Sequence, residues 1–399
     1  MPPLLHVLGA GPWQLPTLRR AKARGLRVLV TDLFAERPGY AVADMHEQVD
    51  ITDPAATLAA ARRHGIDGIL CDTTDIGVAT AAHVAAALGL PGIGADAAAR
   101  CTRKDLLRQA CAARQVDQPC FRVVGDRSAA QLAGAALGLP LIAKPVDNQS
   151  GRGVMRVDTP DRVASAFAHA LAHSRAGAVV MEQWVDGSEH IVDGVVFDGR
   201  AVMLAIASKP ADARNVTIGT RIDYLSGADF ERAHEQLAPT VQAVVRAVGL
   251  TQGVFHAELL ASPQRVVPID FAARGGGVMI HHHVVEHVCG TSPIDLAIDA
   301  ALGHAARPAL QARRGASIRF LQAPRGLLRA VSGVAEAAAL PGVAAVHIAV
   351  EPGSPVGALQ DKEDRPGFVV ALADDTAEAR AIADRACGLL HFDILAEQP

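Results

Sequence analysis

At 399 residues the chain is too long for one small core, and about two to four domains or lobes are expected. Half of its residues (50%) are hydrophobic, which excludes a disordered chain. A net charge of −4, with 38 basic against 42 acidic residues, argues against a nucleic-acid binder.

The start, Met1-Pro2-Pro3-Leu4-Leu5-His6, has no basic region before its apolar run, so no secretory signal is expected. No uncharged apolar run reaches membrane-spanning length. The six cysteines, Cys71, Cys101, Cys111, Cys120, Cys289 and Cys387, form no Cys-x-x-Cys pair. Isolated thiols in a reducing compartment follow, and the cytoplasm is the expected location.

The first part alternates strand and helix: strand 4–9, helix 13–24, strand 28–31, helix 54–64, strand 68–71 and helix 76–88. That order implies a parallel sheet with covering helices. Gly9-Ala10-Gly11 begins like a dinucleotide fingerprint, but Gln14 stands where the third glycine belongs, which favours a tight turn over a cofactor loop. A helix is expected over 103–114 with Thr102 as its N-cap. Then comes a compact α+β lobe, with strand 121–124, helix 128–137, strand 141–144, a polar loop 147–153, strand 153–157, helix 160–172 and strand 178–182. Residues 188 to about 310 read as a larger α+β unit, with strands 191–197 and 201–207 joined by the turn pair Asp198-Gly199. Helices are expected at 231–248 and 291–302. The last segment has strands 318–321, 344–350 and 367–372 and a long helix 374–389.

Candidate chemistry centres on a hairpin. Residues 253–258 and 266–270 are apolar and β-branched, and Ala261-Ser262-Pro263-Gln264 turns between them. Alternation puts His256 and Glu258 on one face of their strand, and Asp270, Ala272 and Arg274 on one face of its partner. Paired strands would bring Glu258 and Asp270 together, and a hard cation such as Mg²⁺ would relieve their repulsion. Arg274 suits a phosphate or carboxylate, and the glycines after it allow close backbone approach. An amphipathic hairpin with solvated carboxylates is the competing reading.

Lys144 ends an apolar strand beside a loop containing Ser150, Gly151 and Gly153. Lysine and free N–H groups there would hold phosphate oxygens. A hairpin with a solvated lysine explains the same residues. Strand 179–185 exits at Asp186-Gly187, where extended backbone would meet an adenine edge and Glu189 ribose hydroxyls; a plain strand and turn stays open too. His281-His282-His283 lacks the His-Glu-x-x-His spacing and a nearby cysteine partner. The run is expected to line a substrate pocket.

Taken in order, Lys104, Lys144 with its glycine loop, Glu182 to Glu189, Glu258, and Asp270-x-x-x-Arg274-Gly-Gly resemble the ATP-grasp superfamily over nearly the whole chain. The resemblance implies an ATP-grasp fold of α/β and α+β parts. Residues 1–95 would be a Rossmann-like domain preceding the grasp and 96–120 a helical linker. Residues 121–187 would be the small lobe, 188–310 the large lobe carrying the metal and phosphate site, and 311–399 a C-terminal α+β domain.

It also implies roles. Lys104, Lys144 and, more weakly, Lys209 would contact phosphates, and the loop at Ser150, Gly151 and Gly153 would close over them. Glu182 and the backbone at Trp184 and Val185 would hold adenine, and Glu189 the ribose. Glu258 and Asp270 would bind Mg²⁺, with Mn²⁺ as the substitute. Arg274, with Lys144, would be catalytic. Arg221, Gly275, Gly276, His281 and His282 are the candidates for substrate contact, with Arg214 and Tyr224 beside them.

The superfamily usually has Glu-x-Asn where this chain has Asp270-Phe271-Ala272, which puts a second Mg²⁺ in doubt. The implied activity is an ATP-dependent ligation of a carboxylate, such as an amino acid, to an amine through an acyl phosphate, as in L-amino-acid (dipeptide) ligases. A carboxylating enzyme of purine or biotin type and a non-catalytic ATP-binding protein are the alternatives. Small-molecule substrates, no nucleic acid or membrane partner, and a homodimer are expected.

Overall fold

A computed structural model describes residues 1–212, 217–304, 307–311, 313–357, 359 and 364–395. The chain opens with a parallel sheet in the order Met45–Gln48, Arg27–Asp32, Leu4–Leu8, Gly68–Leu70. All five residues of Leu4–Leu8 are buried, as befits a strand covered by helices on both faces. The helix Pro54–His64 shows how local sequence sets its ends. Asp53 accepts from the N–H groups of Ala55 and Ala56, Pro54 takes the first turn, and Gly65 closes it at φ 64°. The strand Met45–Gln48 escaped the sequence reading because only alternate residues are half-buried at the sheet edge.

The Gly9-x-Gly11 turn is filled from within. The Gln14 side chain lies 3.3 Å from where a Cβ on Gly9 would be, and the Ala10 N–H donates to Asp32 Oδ2 at 2.9 Å.

Two helices, Ala95–Thr102 and Lys104–Ala113, lead out of this domain. Thr102 is therefore not the expected N-cap. It ends the first helix and its hydroxyl donates back to the Ala98 carbonyl at 2.8 Å, while Arg103 takes the cap position. Next stands a four-stranded antiparallel sheet in the order Phe121–Val124, Val179–Gln183, Leu141–Pro145, Met155–Val157. Helices Arg127–Leu137 and Val163–Ala172 supply Ala130, Ala133, Val163 and Phe167 to its core.

An eight-stranded antiparallel sheet forms the body of the molecule. Its order is Val266–Ala272, Gly253–Ala261, Ser188–Phe197, Arg200–Ser208, Arg221–Tyr224, Gly315–Phe320, Gly367–Ala373, Val343–Ile348. Asp198 and Gly199 turn one hairpin with φ of 46° and 72°, as a two-residue primed turn requires. The boundary expected at 310/311 cuts across this sheet, because its last three strands extend the large lobe. A separate small sheet contains Gly326–Ser332, Pro355–Val356 and His391–Leu395.

Strand alternation sets the working face. Phe255, Ala257, Leu259 and Phe271 pack with the helix Gly227–Val248 on one side, and the Phe255 and Phe271 rings stack at 5.3 Å. His256, Glu258 and Leu260 therefore point the other way, into the cleft between the two lobes. Among the described residues, no helix is long and apolar enough to cross a membrane.

Candidate active site

The cleft encloses about 1560 Å³, counting space open to solvent, and gathers residues from the linker, the small lobe, the central sheet and the last segment. At its centre Glu258 and Asp270 are direct cross-strand partners. A bulge after Glu258 then pairs Leu259 with Pro268. Lysines neutralise the acids. Lys104 Nζ meets Asp270 Oδ2 at 2.8 Å and donates to the Asn148 carbonyl at 2.9 Å. Lys209 bridges Glu189 and Glu258, reaching Glu258 Oε1 at 3.0 Å. Burial and then Glu258 push the Asp270 carboxyl up, but Lys104 and Lys144 together leave the net shift downward.

Two facing carboxylates fit Mg²⁺, which is held through one or two protein carboxylates plus phosphates and water. Ala272 adds no donor, and among the described residues no group of three or more His, Cys, Asp or Glu could hold a metal by itself.

Deeper in, Glu182 is almost wholly buried between two cations. Its Oε1 takes Arg108 Nε at 2.7 Å and its Oε2 takes Lys144 Nζ at 2.6 Å. Burial raises the Glu182 carboxyl, but Arg108 and Lys144 more than reverse this and hold it at about 2. Lys144 shifts downward through burial and the neighbouring Arg108 and Lys104, against the pull of Glu182. Each Glu182 oxygen thus holds one cation, and the residue also lines the cleft. Arg108 went unnoticed in the sequence. The signal was its spacing of four from Lys104 on one helix face.

The expected adenine edge is narrower than the sequence suggested. The Trp184 N–H donates to the Pro140 carbonyl at 3.0 Å, which engages one of the two backbone donors expected there. Arg156 covers the Trp184 ring at 4.3 Å, and both Trp184 and Val185 line the cleft. Ser150 and Gly151 line it as well, with φ of 61° and 72°. Gly153 does not line the cleft; a Cβ there would meet His173 at 2.7 Å.

Arg274 faces the cleft while Asp75 of the N-terminal domain holds it, at 2.6 Å to Nε and 3.2 Å to Nη2. Most of the expected substrate residues lie elsewhere. Gly275, His281 and His282 are buried in the seam behind the cleft, and Gly276 is buried against His256 and Ile280 at the cleft wall. There His281 Nε2 and His282 Nε2 approach Asp72 at 2.9 and 3.4 Å, and Thr17 donates to the same carboxylate. Burial raises the Asp72 carboxyl and His281 and His282 lower it more. A Cβ on Gly275 would sit 2.1 Å from the His281 ring, so packing demands glycine there. Arg221 pairs with Asp223 at 2.7 Å and lines a separate recess. Tyr224 is buried with its hydroxyl donating to Asp193 at 2.7 Å, and Arg214 lies outside the described residues.

His256, placed on the Glu258 face by the strand period but given no role there, also lines the cleft. Its Nδ1 meets Asp193 Oδ1 at 2.7 Å, and it stands directly across from Ala272.

The fold and this constellation of lysines, paired carboxylates and glycine loop define an ATP-grasp enzyme. Residues 137–282 match the ATP-grasp domain family, and residues 319–394 match L-amino acid ligase C-terminal domain 2. The L-amino acid ligase of Bacillus licheniformis superposes with a TM-score of 0.83 over 99% of both chains at 20% identity, a likeness of fold. An uncharacterised protein of Sinorhizobium fredii is 28% identical over 79% of this chain and 66% of its own length. A formate-dependent phosphoribosylglycinamide formyltransferase of Erythrobacter litoralis is 25% identical over 97% of each. The chain thus carries an ATP-grasp domain at 137–282 and, at 319–394, a C-terminal domain of the kind found in L-amino acid ligases.

Proposed function

We propose that this cleft joins a carboxylate, such as that of an amino acid, to an amine at the expense of ATP. The observation that carries the reading is the Glu258–Asp270 pair facing Lys104, Lys144 and Arg274 within one cleft. A substrate carboxylate oxygen attacks the γ-phosphorus, the bridge to the β-phosphate breaks, and ADP leaves. The amine nitrogen then attacks the acyl carbon, phosphate departs, and the nitrogen loses a proton.

In this reading Lys104, Lys144 and Lys209 hold phosphate oxygens, and Arg274 stabilises the charge in transfer. Glu258 and Asp270 hold Mg²⁺, which supplies charge neutralisation at the phosphates. The loop 147–153 excludes water so that the acyl phosphate meets the amine first. Val185 offers its N–H to adenine and Glu189 reaches the ribose. The full-length likeness to a formate-dependent enzyme supports a second reading, in which formate or bicarbonate is the phosphorylated acid.

ATP turnover with amino acids, singly and in pairs, decides between them, with formate and bicarbonate tested separately. Product mass identifies the joined pair. Turnover that needs formate or bicarbonate transfers the protein to the second reading. Bound ATP with no ADP release on any acid defeats both.

A further inference from the structure

The loop 72–75 belongs to the N-terminal domain, yet it touches two parts of the proposed machinery. The Asp75 carboxylate accepts both Nε and Nη2 of Arg274, and the Asp75 N–H donates to Gln149 Oε1 at 3.0 Å. Gln149 sits in the glycine-bearing loop, next to the cleft residues Asn148 and Ser150. The Gly275 N–H donates to the Asp72 carbonyl at 3.1 Å, so the backbone just after Arg274 is fixed from the same loop. That loop is itself anchored, because Gln14 Nε2 donates to Thr73 Oγ1 at 3.0 Å. Asp75 does not line the cleft, whereas Arg274 does. Any effect of Asp75 on chemistry must therefore pass through the groups it holds.

A two-point grip on a planar guanidinium fixes its direction as well as its place. We propose that Asp75 is a positioning residue: its carboxylate aims Arg274 at the transferring phosphoryl group, and its N–H registers the loop 147–153. Loop closure and arginine placement thereby occur together. This rests on the roles given above to Arg274 and the loop.

The test compares the native chain with Asp75→Asn, Asp75→Glu and Gln149→Ala, measuring ADP and condensed product separately. Asp75→Asn should lower kcat for product by about 10- to 100-fold, the cost of a small misplacement of a reacting group. The KM for ATP should stay within about threefold. ADP formed per product should rise, because an acyl phosphate without a fixed arginine reacts with the amine more slowly and meets water. Asp75→Glu should recover part of kcat. Gln149→Ala keeps the arginine pair, so it should raise ADP per product with a smaller loss of kcat.

Hydrogen exchange gives a readout that needs no substrate. In the native chain, ADP with Mg²⁺ should slow exchange in both 147–153 and 274–277. In Asp75→Asn only the first segment should respond. Native-like kcat and ADP per product in Asp75→Asn overturn the proposal. So does a fall in stability with both unchanged, which would make the pair a plain domain clamp. If the native chain condenses nothing, the functional reading fails, and exchange still decides the coupling: paired protection in Asp75→Asn ends it.

Discussion

The cleft and the seam behind it both concentrate titratable side chains, but they hold them differently. In the cleft, Glu189, Glu258 and Asp270 keep side-chain exposures of 17%, 22% and 32%, and their partners are the long, flexible Lys104 and Lys209. In the seam, Asp72 has no exposure and faces two imidazoles with 3% and 2%. A lysine can swing away and leave its carboxylate to a metal ion while it takes a phosphate itself. A short imidazole packed against a glycine backbone has nowhere to go. On the proposed reading the chemistry lies where the ion pairs can be exchanged, while His281 and His282 tie the central body to Asp72 of the N-terminal domain.

Changes in the cleft should cost turnover and spare the fold. Glu258→Gln and Asp270→Asn should each lower ATP-dependent turnover by about 100- to 1000-fold, as loss of a preorganised charge at a phosphoryl-transfer centre does. Thermal unfolding should move little, because Lys209 keeps Glu189 as a partner in Glu258→Gln. Turnover within tenfold of native would place the metal elsewhere. The seam should answer in the opposite sense. His282→Ala leaves one side of Asp72 without its partner and should cost about 1–3 kcal/mol of stability. KM values for carboxylate and amine should stay within about threefold. A selective rise in one KM with unchanged stability would return the histidine to the substrate pocket.

The same contrast explains what was legible in the sequence. Glu258 and Asp270 could be paired by eye because only a short turn separates their strands, and a period of two fixes the face they share. The parallel N-terminal sheet was legible too, since strand and helix alternate there with clear periods. Contacts across long separations were not. Arg108 meets Glu182 across 74 residues, Arg274 meets Asp75 across 199, and His282 meets Asp72 across 210. No local pattern marks such partners. Glu182 was accordingly read from its strand alone, and its burial between Arg108 and Lys144 went unseen. The strand Gly326–Ser332 was missed for a related reason: its partner His391–Leu395 comes at the far end of the chain, and half-exposed edges show weak periodicity.

A smaller effect separates the cleft from the N-terminal sheet by pH. Glu182, held at about 2 against an ordinary 4.5, favours the folded state fully above 4.5; that contribution is lost as pH falls toward 2. His6, in the first strand, behaves differently. It is fully buried beside Thr31 at 3.0 Å. Burial and then His64, against the opposite pull of Glu47, depress it from 6.5 to about 3. Above 6.5 neither the folded nor the unfolded chain binds this proton. As pH falls below 6.5 the unfolded chain takes it and the folded chain does not, so stability declines until about 3. Between about pH 7 and about pH 5.5 the His6 contribution amounts to about 1 kcal/mol, while Glu182 contributes almost nothing. Denaturant midpoints measured at those two values should therefore converge in His6→Gln and differ in the native chain. Equal pH slopes in the two proteins would show that another buried group binds the proton, and would remove His6 as the source of acid sensitivity in the N-terminal domain.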